Sequence, residues 1–415
     1  MQKVVIIGAG FAGLRLARAL KRKGFEIWLI DKHNYHQFPP LLYQVATSGL
    51  EPSSISFPLR KIFPSDKNFH IRCAEVTSID TKNKSVITSA GSFSYDYLVI
   101  AIGATTNFFG NKLIEENALP MKSVSEALYV RNRILQNFED ALIADEQTQK
   151  ALMNIVIVGG GPTGVEVSGA LAEMKNNSLP KDYPDLDFKT MNIYLIEAGP
   201  KTLAAFSEES SVKSKQYLEE LGVIVFTSTQ VLSYDGLEVK LSTGKSLFTK
   251  TLVWAAGIKG NALNGLPPET IVKGNRISVN RFCQVQGFDD IFAIGDIAHM
   301  ITDKYPNGHP QVATVANMQA DALAKNIVLH SQNKQMEQFE YKDKGSMATV
   351  GRHKAVVDLP NAKFQGFFAW FLWMFLHLML ILGVRNKLVV FLNWLWHYFT
   401  FDPSLRLIIK PAKKD

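Results

Sequence analysis

The chain has 415 residues, of which 47% are hydrophobic and 20% charged. This length predicts two or three domains, and the balance excludes a disordered or fibrous chain. The formal net charge of +7 is modest, and the only two cysteines, Cys73 and Cys283, are far apart in the sequence. Their spacing excludes a disulfide scaffold, a cysteine zinc site and a dithiol of neighbours, and no metal is expected. The opening apolar run Val4-Val5-Ile6-Ile7 stops at Gly8. It is too short for a secretory signal and reads as a buried parallel strand, so the bulk of the protein is expected in the cytoplasm.

That strand begins a unit that occurs twice. After it come Gly8-Ala9-Gly10-Phe11-Ala12-Gly13, a helical stretch over 14–23, and a strand from Glu26 that ends at Asp31. The second copy has a strand over 154–158, Gly159-Gly160-Gly161-Pro162-Thr163-Gly164, a helix over 165–175, and a strand over 192–196 that ends at Glu197. One GxGxxG alone is weak evidence. Here both copies lie between strand and helix, and an acidic residue ends the next strand, which is the context a dinucleotide site requires. The first glycine makes the tight turn, the second admits a pyrophosphate to the backbone and helix N-terminus, and the third lets helix and strand pack. The acidic side chain accepts from a ribose hydroxyl. Glu197 follows Gly164 at an unusually long interval, and the polar stretch 176–189 is expected to be a surface loop. If this second site takes the nicotinamide cofactor, a carboxylate there favours NADH over NADPH, with Lys201 close enough to soften the preference.

Three further strands end in glycine: 97–103 with Ala101 and Gly103, 251–257 with Ala256 and Gly257, and 290–296, which places Asp296 at a strand tip. Each glycine allows close backbone approach to a ligand. Two such sites suggest one for FAD and one for a nicotinamide, and the glycine pattern alone does not assign them. Cys73 reads as part of a strand over 71–76 and Cys283 as part of another, each a small packed residue. His33 and His36 read as structural or surface groups, and Lys32 as a candidate to reach a phosphate or ribose. Glu166, placed in the first turn of the second helix, reads from its position as a carboxylate answering the helix dipole.

The C-terminus differs from the rest: 13 of 44 aromatic residues lie between Phe364 and Phe401. Residues 367–384 carry no formal charge, Arg385-Asn386-Lys387 interrupts, and 388–401 is apolar again, with Asn386, Asn393 and His397 on one helical stripe. A spanning helix, a buried or dimer-forming pair and a hairpin lying in the membrane interface are the alternatives, with the last favoured. Basic groups gather with the aromatics at this end, which suits a lipid surface and not nucleic acid.

The strand-glycine junctions resemble those of the two-dinucleotide flavoprotein reductases. The segment 38–52 (FPPLLYQVATSGLEP), Gly159–Glu166 (GGGPTGVE), 196–200 (IEAGP) and 349–356 (TVGRHKAV) are similar to those of the type II NADH:quinone oxidoreductases, single-subunit enzymes that pump no protons. The disulfide-reductase and sulfide-oxidising branches need a cysteine pair at the flavin, which this chain lacks. The resemblance implies an α/β fold of two Rossmann-like dinucleotide-binding domains plus a C-terminal helical membrane-anchoring region: FAD domain 1–120 and 270–345, NADH domain 121–269, membrane-associated region 346–415. It implies non-covalent FAD at Gly8, Gly10, Phe11, Ala12, Gly13, Asp31, Lys32, Gln44, Val76, Ala101, Gly103, Asp296 and Ala313. NADH is implied at Gly159, Gly161, Pro162, Thr163, Gly164, Glu166, Glu197, Ala256 and Gly257, with Glu166 catalytic. A membrane quinone is implied at Thr314, Ala316, Met318, Gln319 and Lys354, with His353 beside them. Thr314 and Met318 stand where many members carry glutamines, a departure that bears on which quinone is used. The expected setting is the inner face of the cytoplasmic membrane, bound through residues 364–415, as a monomer or homodimer. The alternatives are an NADH reductase of a soluble acceptor and a non-catalytic flavin-binding NADH sensor.

Overall fold

The computed structural model describes residues 1–63, 66–402 and 405–409; the final residues 410–415 of the expected anchor lie outside the described residues. The chain forms two compact units, Met1–His36 with Phe57–Thr105 and Ile258–Asp343, and Gln37–Ser56 with Thr106–Gly257 and Lys344–Asp415. The C-terminal region is therefore part of the second unit and not a third body. The physical reason lies in Gly169 of the helix Pro162–Asn177. A Cβ there would stand 2.8 Å from the Gly351 amide, so the missing side chain lets the loop after strand Ser346–Thr349 lie directly on the helix.

The first unit is built on a five-stranded parallel sheet in the order Ile291–Ala293, Tyr97–Ile100, Lys3–Ile7, Glu26–Asp31, Phe69–Cys73. Val4, Val5, Ile6, Leu98, Val99 and Ile100 are fully buried, as expected of a strand covered on both faces. The helices Phe11–Leu20 and Ala313–Ser331 pack together on it. The second unit repeats the plan in the order Leu119–Pro120, Thr251–Trp254, Ile155–Val158, Ile193–Ile196, Val223–Phe226. In each sheet the strand before the glycine loop is flanked on opposite sides by a near and a distant strand of the chain. Its carboxyl end is thus the switch point where open α/β sheets bind ligands.

Three local expectations are corrected. The stretch 176–189 is only partly loop: it continues the Pro162–Asn177 helix, adds the short helix Leu179–Asp182, and buries Leu179, Leu186 and Phe188. Cys283 lies in a bend at φ 65°, not in a strand. The C-terminal helices are Gly366–Leu380 and Val384–Thr400, and the break falls at 381–383, where Gly383 adopts φ 78°. Arg385-Asn386-Lys387 opens the second helix and does not interrupt it, because nothing in those three residues opposes helical backbone.

The antiparallel strands Ser346–Thr349, Ala355–Leu359 and Ala362–Gln365 lead into these helices. Asp358 fixes them to the rest of the unit by accepting from Ser207 N at 2.6 Å and Ser210 Oγ at 2.7 Å. The polar stripe of the last helix faces the protein. Asn386 is buried and donates to the Ser53 and Ser56 carbonyls at 3.3 Å. The apolar residues Phe371, Phe375, Leu392, Trp396 and Phe399 of the two helices are exposed. Among the described residues no helix is long and apolar enough to cross a membrane.

Candidate active site

The two glycine loops share one geometry. In the first, Gly8 has φ 99°, and a Cβ on it would lie 2.3 Å from the Ala101 carbonyl oxygen; a Cβ on Gly13 would lie 1.9 Å from the Gly8 oxygen. Gly10 meets nothing within 4 Å. The outer glycines are thus demanded by packing, while the middle one faces open space at the N-terminus of a helix. The carboxylate of Asp31 accepts from Ala9 N at 2.6 Å and His33 N at 2.7 Å. His36 is buried, pairs through Nδ1 with the Ala9 carbonyl at 2.9 Å, and is held neutral by burial, so it props the loop. Phe11 is half-buried and lies edge-on to His36, Ala12 is buried, and Lys32 is exposed. Val76 begins a strand of this unit, and Gly103, half-buried at φ 70°, has open space around it. Gly295, beside Asp296, would place a Cβ 3.2 Å from that of Ala12 and 3.6 Å from that of Ala316. Ala12, Gly295 and the first turn of the Ala313–Ser331 helix therefore form a floor of small residues.

In the second loop Gly159 has φ 108°, and its Cβ would meet the Ala255–Ala256 backbone at 2.8 Å; that of Gly164 would meet the Gly159 oxygen at 1.9 Å, while Gly161 again faces open space. Pro162 and Thr163 are exposed at the start of the helix. Glu197 accepts from Gly160 N at 2.5 Å and Gly199 N at 2.6 Å, matching Asp31. Lys201 is engaged by Glu208 at 2.8 Å, so its charge is already answered. Gly257, at φ 73°, lies beneath the Phe109 ring.

Glu166 is the fifth residue of its helix, in the second turn and not the first. It is buried, and burial pushes its carboxyl up to about 8, against the pull of the Thr349 amide and the Trp373 indole. An exposed carboxylate answering the helix dipole is thereby ruled out. In the same unit, Glu173 of that helix lines a recess together with Tyr43, Arg352, Trp373, Trp394 and His397.

The family model of the pyridine nucleotide-disulphide oxidoreductases matches residues 2–320, and that of the NDH2 C-terminal domain matches 344–400. The type II NADH:quinone oxidoreductase Ndh of Mycobacterium tuberculosis is 33% identical over 412 residues, covering 94% of this chain and 87% of its own. The chain belongs to the type II NADH:quinone oxidoreductase family. The Staphylococcus aureus type II NADH:quinone oxidoreductase is 32% identical over 362 residues, covering 86% of this chain and 89% of its own. In fold, the chain matches NDH2 from Plasmodium falciparum, solved in complex with NADH, at a TM-score of 0.90 and 23% identity, covering 99% of this chain and 100% of that one.

For a type II oxidoreductase the residues expected at the quinone divide. Ala316 is buried in the small-residue floor, Met318 is half-buried, and Thr314 pairs with the Tyr341 hydroxyl at 3.0 Å. Gln319 is fully buried, its side-chain oxygen accepts from Gly295 N at 2.8 Å, and its Nε2 is left without a hydrogen-bond partner among the described residues. Lys354 is likewise taken, pairing with Glu220 at 2.8 Å above the Tyr217 ring. His353 is packed among Phe367, Trp370 and Tyr398. Gln44 belongs to the second unit and has a partner at each end, donating to the Tyr43 hydroxyl at 2.8 Å and accepting from Trp394 Nε1 at 2.7 Å. Reading the sequence missed Glu173, Tyr43 and Arg352. The signal for Glu173 was its place seven residues after Glu166, which is two helical turns along one face.

Proposed function

We infer that this chain oxidises NADH and reduces a quinone, with FAD in the first cradle and NADH in the second. The observation that supports this most directly is the repeated loop geometry, in which outer glycines are packed against backbone and the middle glycine stands open beside a helix N-terminus and an anchored carboxylate. That geometry fits two dinucleotides. Gly10 and Gly161 leave room for diphosphates, Asp31 and Glu197 retain lone pairs for ribose hydroxyls, and among the described residues nothing lies within 4 Å of a Cβ built on either glycine. FAD held at Gly8, Gly10, Gly13 and Asp31 would supply the two-electron chemistry that links NADH oxidation to quinone reduction. The protein's own work is placement, since hydride transfer needs the nicotinamide carbon held about 3–3.5 Å from its acceptor and no protein acid.

Protons are the second requirement. The reaction NADH + H⁺ + quinone → NAD⁺ + quinol takes one proton from water per turnover. Glu166, raised to about 8 by burial, holds a proton at neutral pH and is the group that delivers it. Ala313, Thr314 and Ala316 present the small-residue face at which a flat ring is received, and Lys354, held by Glu220, is not part of it. The exposed faces of the two C-terminal helices rest on a lipid surface from the cytoplasmic side. At about 1.5 Å per residue, 15 and 17 residues fall short of a core about 30 Å thick, so the helices lie in the interface and do not span it.

The test is the visible spectrum of the purified protein. Flavin bands that bleach on anaerobic NADH and return on adding a quinone are the expected result. A colourless protein that takes up no added FAD refutes the reading.

A further inference from the structure

We propose that Glu173 is a second proton-holding group of this reaction, refilling Glu166 through the hydroxyl of Tyr43 with protons drawn from the recess. The proposal rests on the quinone reductase reading and adds the route by which water reaches Glu166.

Four observations support this order. Glu166 and Glu173 lie seven residues apart on the helix Pro162–Asn177 and so share one face. Glu166 is buried and does not line the recess, whereas Glu173 is half-buried and does. Tyr43 is buried at the recess wall, and its phenol is pushed well above its ordinary range, first by burial and then by the charge of Glu166, with Glu173 adding to it. Its oxygen already accepts from Gln44 Nε2 at 2.8 Å, so its own hydrogen is not spent on that bond and can be passed on.

Glu173 has the chemistry this place requires. Burial lifts its carboxyl to about 7, opposed by the Arg352 amide, the Arg352 guanidinium and Lys354. The Arg352 N–H donates to Glu173 Oε1 at 2.5 Å. The other ionisable groups around it are His397 and Tyr398 of the last helix, which line the same recess, and Glu220, which already neutralises Lys354. Burial and these cations oppose one another, and the balance leaves the Glu173 carboxyl at about 7.

The step balances. Glu166 gives its proton to the reduced quinone oxygen and is left as carboxylate. The Tyr43 hydroxyl then relays through water: one water carries its hydrogen to Glu166 while another brings the Glu173 proton to its oxygen, so both the phenol and the waters are restored. Water in the recess then reprotonates Glu173. Over one turnover the chain is restored and one solvent proton has been consumed.

The deciding variants are Glu173→Gln, which keeps the oxygen that accepts from Arg352 N, Glu173→Asp, which keeps an acid, and Tyr43→Phe. In the parent, infrared difference spectra on raising the pH should show loss of a protonated-carboxyl C=O band near neutrality, with part of that band missing in Glu173→Gln. Quinone-dependent turnover in Glu173→Gln should fall tenfold to a hundredfold, roughly the lower reach of proton-transfer catalysis, most steeply at alkaline pH and with a larger solvent deuterium effect. Tyr43→Phe should show the same profile, the double variant should be no worse than either, and Glu173→Asp should restore part of the rate. An unchanged carboxyl band and an unchanged pH profile in Glu173→Gln overturn the proposal, as does a Tyr43→Phe effect that adds fully to it. Absence of turnover in the parent itself would instead refute the quinone reading.

Discussion

Trp394 Nε1 donates to Gln44 Oε1 at 2.7 Å, tying the last helix to the five-residue helix Leu42–Ala46 across 350 positions of sequence. Gln44 in turn donates to Tyr43, so the C-terminal helices position the wall of the recess. Trp394→Phe removes the donor but keeps most of the packing, leaving the Gln44 oxygen without its partner. The expected cost is about 1–3 kcal/mol, read as a lower melting temperature and faster proteolysis within the C-terminal helices. Trp394→Phe with unchanged melting would show that the tie carries no stability.

The paired loops make a discriminating prediction about glycine. Gly13→Ala and Gly164→Ala each put a carbon 1.9 Å from a backbone oxygen, so both should misfold or be lost on expression. Gly10→Ala and Gly161→Ala meet nothing within 4 Å in the protein. They should therefore fold normally, and the added methyl intrudes only where a diphosphate belongs. Gly10→Ala should purify folded but with little bound flavin, while Gly161→Ala should keep its flavin and show a raised KM for NADH. Circular dichroism, flavin absorbance and NADH titration separate the four outcomes.

Glu197 has a second job besides reading ribose, because it accepts from both Gly160 N and Gly199 N. Glu197→Gln keeps one acceptor oxygen and removes the charge that repels a 2′-phosphate. A hydrogen bond to a charged group is worth about 1.5–3 kcal/mol, so KM for NADH should rise by roughly tenfold or more. The NADH:NADPH preference should narrow. With Lys201 held by Glu208, Lys201→Ala should leave the preference unchanged, which steady-state kinetics with both cofactors would check.

Much of this was legible in the sequence where a local pattern carries its own reason. The two strand-glycine-helix units, Asp31, Glu197, and the small residues Ala101 and Ala256 follow from what a tight turn and a close strand require. What was not legible depends on distant partners. Lys354 reads as a candidate quinone contact until Glu220, 134 residues away, is seen to hold it. The oxygen of Gln319 reads as free until Gly295 N claims it. The polar stripe of the last helix was correctly periodic, but periodicity does not say which side is wet: Asn386 faces inward because Ser53 and Ser56 carbonyls await it.

Glu166 gives stability a definite dependence on pH. Its carboxyl titrates near 4.5 when unfolded and at about 8 in the fold, so the folded state keeps a proton that the unfolded state has lost. The contribution is full below about 4.5, declines as the pH rises and is gone above 8, at a slope of at most about 1.4 kcal/mol per pH unit. Melting temperature should therefore fall more steeply between mildly acid and mildly alkaline pH in the parent than in Glu166→Gln, which has no proton to lose. Equal slopes for the two proteins would mean that Glu166 is ionised in the fold.

The apolar face of the C-terminal helices carries the last prediction. Phe371 and Phe375 are 57% and 54% exposed, and Trp396 and Phe399 are 59% and 72% exposed, far more apolar surface than a soluble monomer leaves wet. Because these side chains make little contact with the protein, Phe371→Ser, Phe375→Ser and Trp396→Ser combined should leave the fold, its melting temperature and turnover of short-chain, water-soluble quinone nearly unchanged. Binding to vesicles should drop sharply, since each large apolar side chain withdrawn from lipid forfeits about 1.5–3 kcal/mol. Turnover of long-chain quinone in those vesicles should drop with it. If the triple variant instead stays on vesicles but sediments at half the mass of the parent, the face is an interface between two copies of the chain, and lipid is held elsewhere.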